Sequence, residues 1–206
     1  MNNKKHEGFL VILSGPSGSG KDTILTELEK RNFDIQVSIS NTTRKARDWE
    51  INGFHYNFVS PEEFESGINS GYFLEYAKYG SNYYGTPRGP INTWIQEGKI
   101  VFLKIDVQGA RRIRAEYPGV VSIFLMPPTF GALRDRLHNR ESEDEADIAS
   151  RLEIAANEIE CSKDYDYIVV NDVVNYAVSD ICAILQAEQL RAERMARTVE
   201  DIINIK

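Results

Sequence analysis

Residues Gly15-Pro16-Ser17-Gly18-Ser19-Gly20-Lys21-Asp22-Thr23 carry the spacing of a phosphate-gripping loop, G-x-x-x-x-G-K. Glycines let successive N–H groups curl around phosphate oxygens, a helix beginning there aims its positive end at them, and Lys21 adds a mobile cation. The next position of such loops calls for Ser or Thr, whose hydroxyl holds the nucleotide's magnesium; here it is Asp22, and Thr23 is the nearest hydroxyl. Either Asp22 meets Mg²⁺, directly or through water, or Thr23 takes over, and both arrangements stay open at this level. A carboxylate beside a polyphosphate is repulsive without a cation, so strong dependence on magnesium is expected. A structural glycine turn is the bland alternative; a buried strand just before the loop and a helix just after it weigh against that reading.

A second group of residues begins at Thr42. Arg44 and Arg47, followed by Tyr56, form a compact anion clamp, because guanidinium forks match phosphate oxygens two at a time and a phenol adds a donor. Taken alone, the same residues could be a solvated basic turn.

These groups need elements to hold them. Phe9 to Ser14 is a continuous apolar run, too short for a helix, which predicts a buried parallel strand. From Asp22 the positions Ile24, Leu25 and Leu28 give an apolar helix face ending near Arg31 and Asn32. Ile100–Leu103 predicts a second strand leading through Asp106 into a basic helix, Arg111 to Glu116. Val120–Leu125 predicts a third strand ended by Pro127-Pro128, and Tyr167–Val170 a fourth. Strand and helix alternate, so the fold class is α/β with a parallel sheet flanked by helices. Two stretches interrupt the alternation. Residues 38–97, rich in Tyr, Asn, Ser, Gly and Phe, have the composition of an insertion; residues 130–158, strongly charged and irregular, that of a mobile lid. The core is then 8–37, 98–129 and 159–206. From about residue 176, Val178, Ile181, Cys182 and Leu185 mark an amphipathic helix that packs on the core.

Composition narrows the class. The chain has 206 residues, 24 Lys and Arg against 31 Asp and Glu, a net charge of −7 and 42% hydrophobic residues, which suits one soluble globular domain. The net negative charge argues against nucleic acid as a partner. No apolar run approaches the roughly 18 residues needed to span a bilayer, and no secretory leader is evident, so no membrane association and a cytoplasmic location are expected. Cys161 and Cys182 lack metal-ligand spacing and are expected to be buried reduced thiols; His6, His55 and His138 are expected at the surface.

The stretch from Thr42 to Phe58 follows the pattern T-T-R-x-x-R-x-x-E-x-x-G-x-x-Y-x-F, and in that form the chain resembles the guanylate kinases at every fixed position. Tyr72-Phe-Leu-Glu75-Tyr76, Asn82-Tyr83-Tyr84-Gly85-Thr86, Ile105-Asp106-Val-Gln-Gly109 and Val170-Asn171-Asp172 recur in family order, so the resemblance runs from residue 9 to about 190. It implies a P-loop NTPase core carrying a nucleoside-monophosphate-binding insertion and a lid, and the reaction ATP + GMP going reversibly to ADP + GDP, with dGMP also accepted. It implies further that Arg44, Arg47, Tyr56 and Tyr84 hold the monophosphate, that Ser40, Glu75 and Thr86 face the base, and that Glu50 and Asp106 belong to the same GMP site. Residues 15–23 would bind ATP with Mg²⁺. Arg136, Arg140 and Arg151 would close over its phosphates, and Asn171 would lie near adenine. Lys21, Arg44, Arg140 and Arg151 would then carry catalysis, which needs positioning and charge neutralisation rather than a general base. A monomer or homodimer is expected.

Glu75 makes chemical sense in that role. The guanine edge carries N1–H and N2–H₂ donors side by side, which one carboxylate accepts as a pair, whereas adenine offers an acceptor at N1 and lacks the 2-amino group. Three positions depart from the family pattern. Asp22 replaces a hydroxyl, Lys104 stands where similar enzymes usually have an acidic residue, and Glu141 stands where a lid glycine is usual. Asp22 and Lys104 together suggest a compensating exchange, joined by an ion pair or a shared magnesium shell. Two rivals, a non-catalytic phosphopeptide-binding relative and a sugar-phosphate kinase, fit less well. The first would not need Lys21 and the lid arginines, nor the second Ser40, Glu75 and Thr86.

Overall fold

The computed structural model describes residues 7–31, 33–138 and 145–204. In chain order the elements are β1 (Phe9–Ser14), α1 (Lys21–Glu29), β2 (Ile35–Ser38), β3 (Asn41–Thr42), β4 (Asn57–Phe58), α2 (Pro61–Asn69), β5 (Phe73–Tyr79), β6 (Asn82–Pro87) and α3 (Gly89–Gln96). They continue as β7 (Ile100–Lys104), α4 (Val107–Glu116), β8 (Val121–Met126), α5 (Phe130–His138), α6 (Glu145–Glu160), a 3₁₀ turn at Cys161–Asp164, β9 (Tyr167–Val170), α7 (Val174–Gln189) and α8 (Ala196–Asn204).

Five strands form one parallel sheet in the order β2-β7-β1-β8-β9. Alternate residues of β1 supply its two faces: Phe9, Val11 and Leu13 pack with Ile24 and Leu28 of α1 and Ile181 of α7, while Leu10 and Ile12 pack with Ile91 of α3 and Ile113 of α4. Ile12 is fully buried, so Ile12→Ala should cost about 2–5 kcal/mol of stability. After β1 the chain goes to one side, through β2 and β7, and later to the other, through β8 and β9. The carboxyl end of β1 is therefore the topological switch point, where open α/β sheets leave a ligand crevice.

A second sheet, β4-β3-β6-β5, occupies residues 41–87 and mixes parallel with antiparallel pairs. Its β5 leans on α4 of the core. Ser60 opens α2 with a reciprocal capping box to Glu63, and Phe64 of that helix stacks on Phe73 at 4.3 Å between centroids.

Several features differ from the sequence expectations. The strand β2 was not anticipated, because four residues at a sheet edge, three of them half-buried, make too short a pattern. The strand β9 is also an edge: Val169 is buried, but Ile168 and Val170 are exposed. The charged stretch expected to be irregular is helical where it is described. Leu133 and Leu137 of α5 meet Ile148, Leu152 and Ala155 of α6 in a small core of their own, an apolar seam that the surrounding charges conceal in the composition. Helix α7 begins two residues earlier than expected, and α8 was not foreseen. The thiols of Cys161 and Cys182 are free but only half-buried. His138 is exposed, whereas His55 is half-buried in the site, and His6 lies outside the described residues, as does the expected helix end at Asn32. Among the described residues no helix is long and apolar enough to cross a membrane.

Candidate active site

One cavity of about 590 Å³ opens at the carboxyl ends of β1 and β7, between the core sheet, the second sheet and α6. Its floor is the 15–23 loop. Gly15, Gly18 and Gly20 take φ of +147°, +86° and +95°, values that L side chains rarely adopt. Space is short as well, since a Cβ on Gly15 would lie 2.3 Å from the Leu125 carbonyl oxygen. Gly20 begins α1 without a side-chain cap, which leaves the helix's first N–H groups to an incoming anion. Lys21 Nζ donates to the carbonyls of Gly15 at 2.5 Å and Pro16 at 3.1 Å, so the ammonium folds back over the loop. Ser17 lines the cavity, while Pro16 and Ser19 are buried; the Ser19 hydroxyl makes no hydrogen bond among the described residues.

Asn171 supports this loop from behind. Its buried Nδ2 donates to the Ser19 carbonyl at 2.8 Å, and its own carbonyl accepts from Arg136 Nη2 at 2.9 Å. The structure thus places both residues beneath the loop rather than on the cavity wall. Arg151 and Glu158 of α6 reach that wall; Arg140 and Glu141 lie outside the described residues.

The facing wall holds the arginine clamp. Arg44 forks onto Glu50, Nη1 to Oε2 at 2.9 Å and Nη2 to Oε1 at 2.7 Å, and the Arg47 backbone N–H donates to Glu50 Oε2 at 2.8 Å. Burial works to raise the Glu50 carboxyl, but Arg44 and Arg47 outweigh it and hold the group below the ordinary carboxylate range. The Arg44 guanidinium lies 5.6 Å from the Tyr56 ring centroid, and Tyr56 meets Tyr84 edge-on at 6.0 Å. All five residues line the cavity, with Glu50 acting as the counter-ion that orients the arginines.

Deeper on the same side, Ser40, Glu75 and Thr86 are buried together. The Thr86 hydroxyl donates to Glu75 Oε1 at 2.6 Å and stands behind it, whereas Ser40 and Glu75 themselves face the cavity. Glu75 Oε2 lies so close to α4 that a Cβ on Gly109 would come within 2.7 Å of it. Burial pushes the Glu75 carboxyl up to about 7, opposed by the Thr86 hydrogen bond and reinforced by Asp106. Asp106 caps α4, accepting from the Gly109 N–H at 2.8 Å, and also borders the cavity.

Two of the three departures from the family pattern meet here. Lys104 Nζ, at the end of β7, pairs with Asp22 Oδ1 at 2.6 Å and lies 4.8 Å from the Tyr56 ring centroid. Among the lining residues that the sequence reading did not assign to the site are Trp49, His55 and Glu158. His55 and Trp49 adjoin motif positions, which was a signal of a kind. The His55 Nδ1 accepts the Ile51 N–H at 3.0 Å. Glu158 sits on a helix with no motif around it, and its carboxyl is pushed up to about 7 by burial, with Lys21 opposing and Asp106 adding.

For a divalent cation, Asp22 and Thr23 offer one carboxylate and one hydroxyl in the first turn of α1, oxygen donors that suit a hard ion. Among the described residues no three His, Cys, Asp or Glu gather into a cage. The donor set therefore fits an ion that arrives with phosphate oxygens completing its shell.

A family model described as guanylate kinase matches residues 7–188, across both sheets and the whole cavity. The chain belongs to the guanylate kinase family. A guanylate kinase of Oceanobacillus iheyensis is 44% identical over 199 residues, covering 97% of each chain. That of Onion yellows phytoplasma is 47% identical over 203 residues, covering 98% of this chain and 95% of its own. The crystal structure of guanylate kinase from Anaplasma phagocytophilum superposes with a TM-score of 0.79 at 35% identity, over 92% of this chain and 90% of that one. The guanylate kinase match stops before α8, which lies beyond the segment common to the family model.

Proposed function

We propose that the cavity is the active site of an ATP:GMP phosphotransferase. Guanine is read by Glu75, the GMP phosphate is held by Arg44, Arg47, Tyr56 and Tyr84, and the ATP phosphates are held by residues 15–23. Family membership makes the chain a nucleoside monophosphate kinase that transfers the γ-phosphoryl group of ATP to GMP; dGMP is proposed as a further substrate. The observation that carries the site assignment is the buried carboxylate of Glu75, braced by Thr86 and set on the same wall as the arginine pair. A carboxylate accepts both guanine donors, and a site built on buried hydrogen bonds rejects a base that leaves it unpaired by about 10⁴.

In this reading Lys21 leaves its loop carbonyls for the phosphate oxygens of ATP, and the backbone N–H groups of the loop and of α1 hold those oxygens in line with the acceptor. Arg44 keeps Glu50 as its rear partner and turns its remaining donors to the GMP phosphate. Arg151 adds charge from α6, with Arg136 acting through Asn171 and the loop. Asp22 or Thr23 would hold Mg²⁺, which would supply charge neutralisation to the transferring group. Residues 38–97 are the GMP-binding insertion and 130–158 the lid, moving against a core of 8–37, 98–129 and 159–206; their closure excludes water from the transfer. The expected place of action is the cytoplasm.

A coupled assay with ATP and, in turn, GMP, AMP, UMP and a ribose bisphosphate tests this. Turnover with GMP at least about 10³-fold above AMP in kcat/KM is expected. Equal use of AMP, or turnover of the sugar phosphate alone, would overturn it.

A further inference from the structure

Lys104 has no part in the reaction as described so far, yet it stands between the two halves of the site. Its side chain is only 13% exposed and borders the cavity, and its ammonium touches an element of each half: Asp22 on the first turn of α1, at 2.6 Å, and the ring of Tyr56 in the clamp. An ammonium has three donors. One goes to Asp22, and among the described residues the others make no hydrogen bond. The partner is also exchangeable, since the Asp22 side chain is 63% exposed and keeps its hydration when the pair opens. A desolvated cation with spare donors, beside a tyrosine of an anion clamp, recruits an anionic oxygen.

We propose that Lys104 is a further catalytic residue whose ammonium binds the phosphoryl group of the acceptor nucleotide, taking an oxygen in exchange for Asp22. This rests on the reading of the clamp as the GMP phosphate site. The lysine would fix the attacking oxygen from the core side while Arg44 and Arg47 fix it from the insertion side. Three cations on one phosphate also lower its repulsion toward the donor's phosphate chain.

The test compares the wild-type chain with Lys104→Met and Asp22→Asn, measuring GMP binding by calorimetry, guanosine binding by competition, and steady-state kinetics. Methionine fills the same apolar channel without the charge. Lys104→Met should weaken GMP about tenfold or more and raise KM for GMP by a similar factor, while guanosine affinity and KM for ATP stay within about twofold. Asp22→Asn removes the competitor for the ammonium and should leave GMP binding as tight as in the wild type or tighter. The proposal is overturned if Lys104→Met binds GMP like the wild type, if it loses GMP and guanosine alike, or if Asp22→Asn weakens GMP as much as Lys104→Met does. Should Lys104→Met not fold, as judged by its melting transition, Lys104→Gln takes the same readings. A wild-type chain that binds no GMP would overturn the clamp reading itself, and this proposal with it.

Discussion

On the floor of the cavity the atoms offered to an anion are backbone N–H groups from one unbroken segment, residues 15–23. On the facing wall they are side chains drawn from the 43–56 loop, β5 and β6. The difference sets what each can recognise. A ring of backbone donors is rigid and indifferent to what the phosphate is attached to, and its cation, Lys21, rests on its own loop carbonyls. Side chains reach farther and can read a base, but they must be held until the ligand arrives. Here Glu50 holds Arg44 and Thr86 holds Glu75. Transfer is thus assigned to the floor and selection to the wall.

Breaking the floor should reduce turnover without changing preference. Lys21→Met removes the mobile cation and is expected to lower kcat about 10²- to 10³-fold with GMP affinity unchanged, as read by steady-state kinetics beside GMP calorimetry.

The wall carries the pH dependence. Glu75 titrates near 7 when folded against 4.5 ordinarily. Between those values the folded chain keeps a proton that the unfolded chain has given up, so stability falls as pH rises through that window, by about 3 kcal/mol from this group. Urea melts at pH 5 and pH 7.5 check this, and Glu75→Gln should remove most of the slope that Glu158 does not supply. GMP needs the ionised carboxylate, so below pH 7 its binding should expel a proton and weaken about tenfold per pH unit, visible in calorimetry across buffers of different ionisation enthalpy.

Smaller effects sharpen the account of the floor. Gly20→Ala forces a side chain into a φ of +95° and brings its Cβ to 2.5 Å from Asn171 Nδ2, so a loss of about 2 kcal/mol in stability is expected. Asn171→Ala deletes the bond to the Ser19 carbonyl and should cost about 1 kcal/mol, with weaker ATP binding and unchanged GMP binding by calorimetry.

The same division explains what the sequence made legible. The floor is local, so seven residues and their flanking strand and helix revealed it. The wall is assembled from positions 40 to 86, and only a long motif joined them; Arg44, Arg47, Glu50, Tyr56 and Tyr84 do meet on one surface. The pairing of Asp22 with Lys104 was suggested by two coincident departures from the pattern, and the ion pair is present. Glu158 was invisible, because its importance comes from where α6 lands and not from its neighbours in sequence. Asn171 also braces the loop through the Ser19 carbonyl, a contact across 152 positions that no local pattern reports. The parallel sheet was legible from its apolar runs, except for the short edge strand β2. The seam between α5 and α6 was lost among charges.

The most direct measurement is the ratio of kcat/KM for GMP to that for AMP, taken on the wild-type chain, Glu75→Gln and Lys21→Met. The account predicts that Glu75→Gln lowers this ratio by about 10³ or more, while Lys21→Met lowers both rates and leaves the ratio within about threefold of wild type. A ratio preserved in Glu75→Gln, or lost equally in both variants, would contradict the assignment of selection to one wall and transfer to the other.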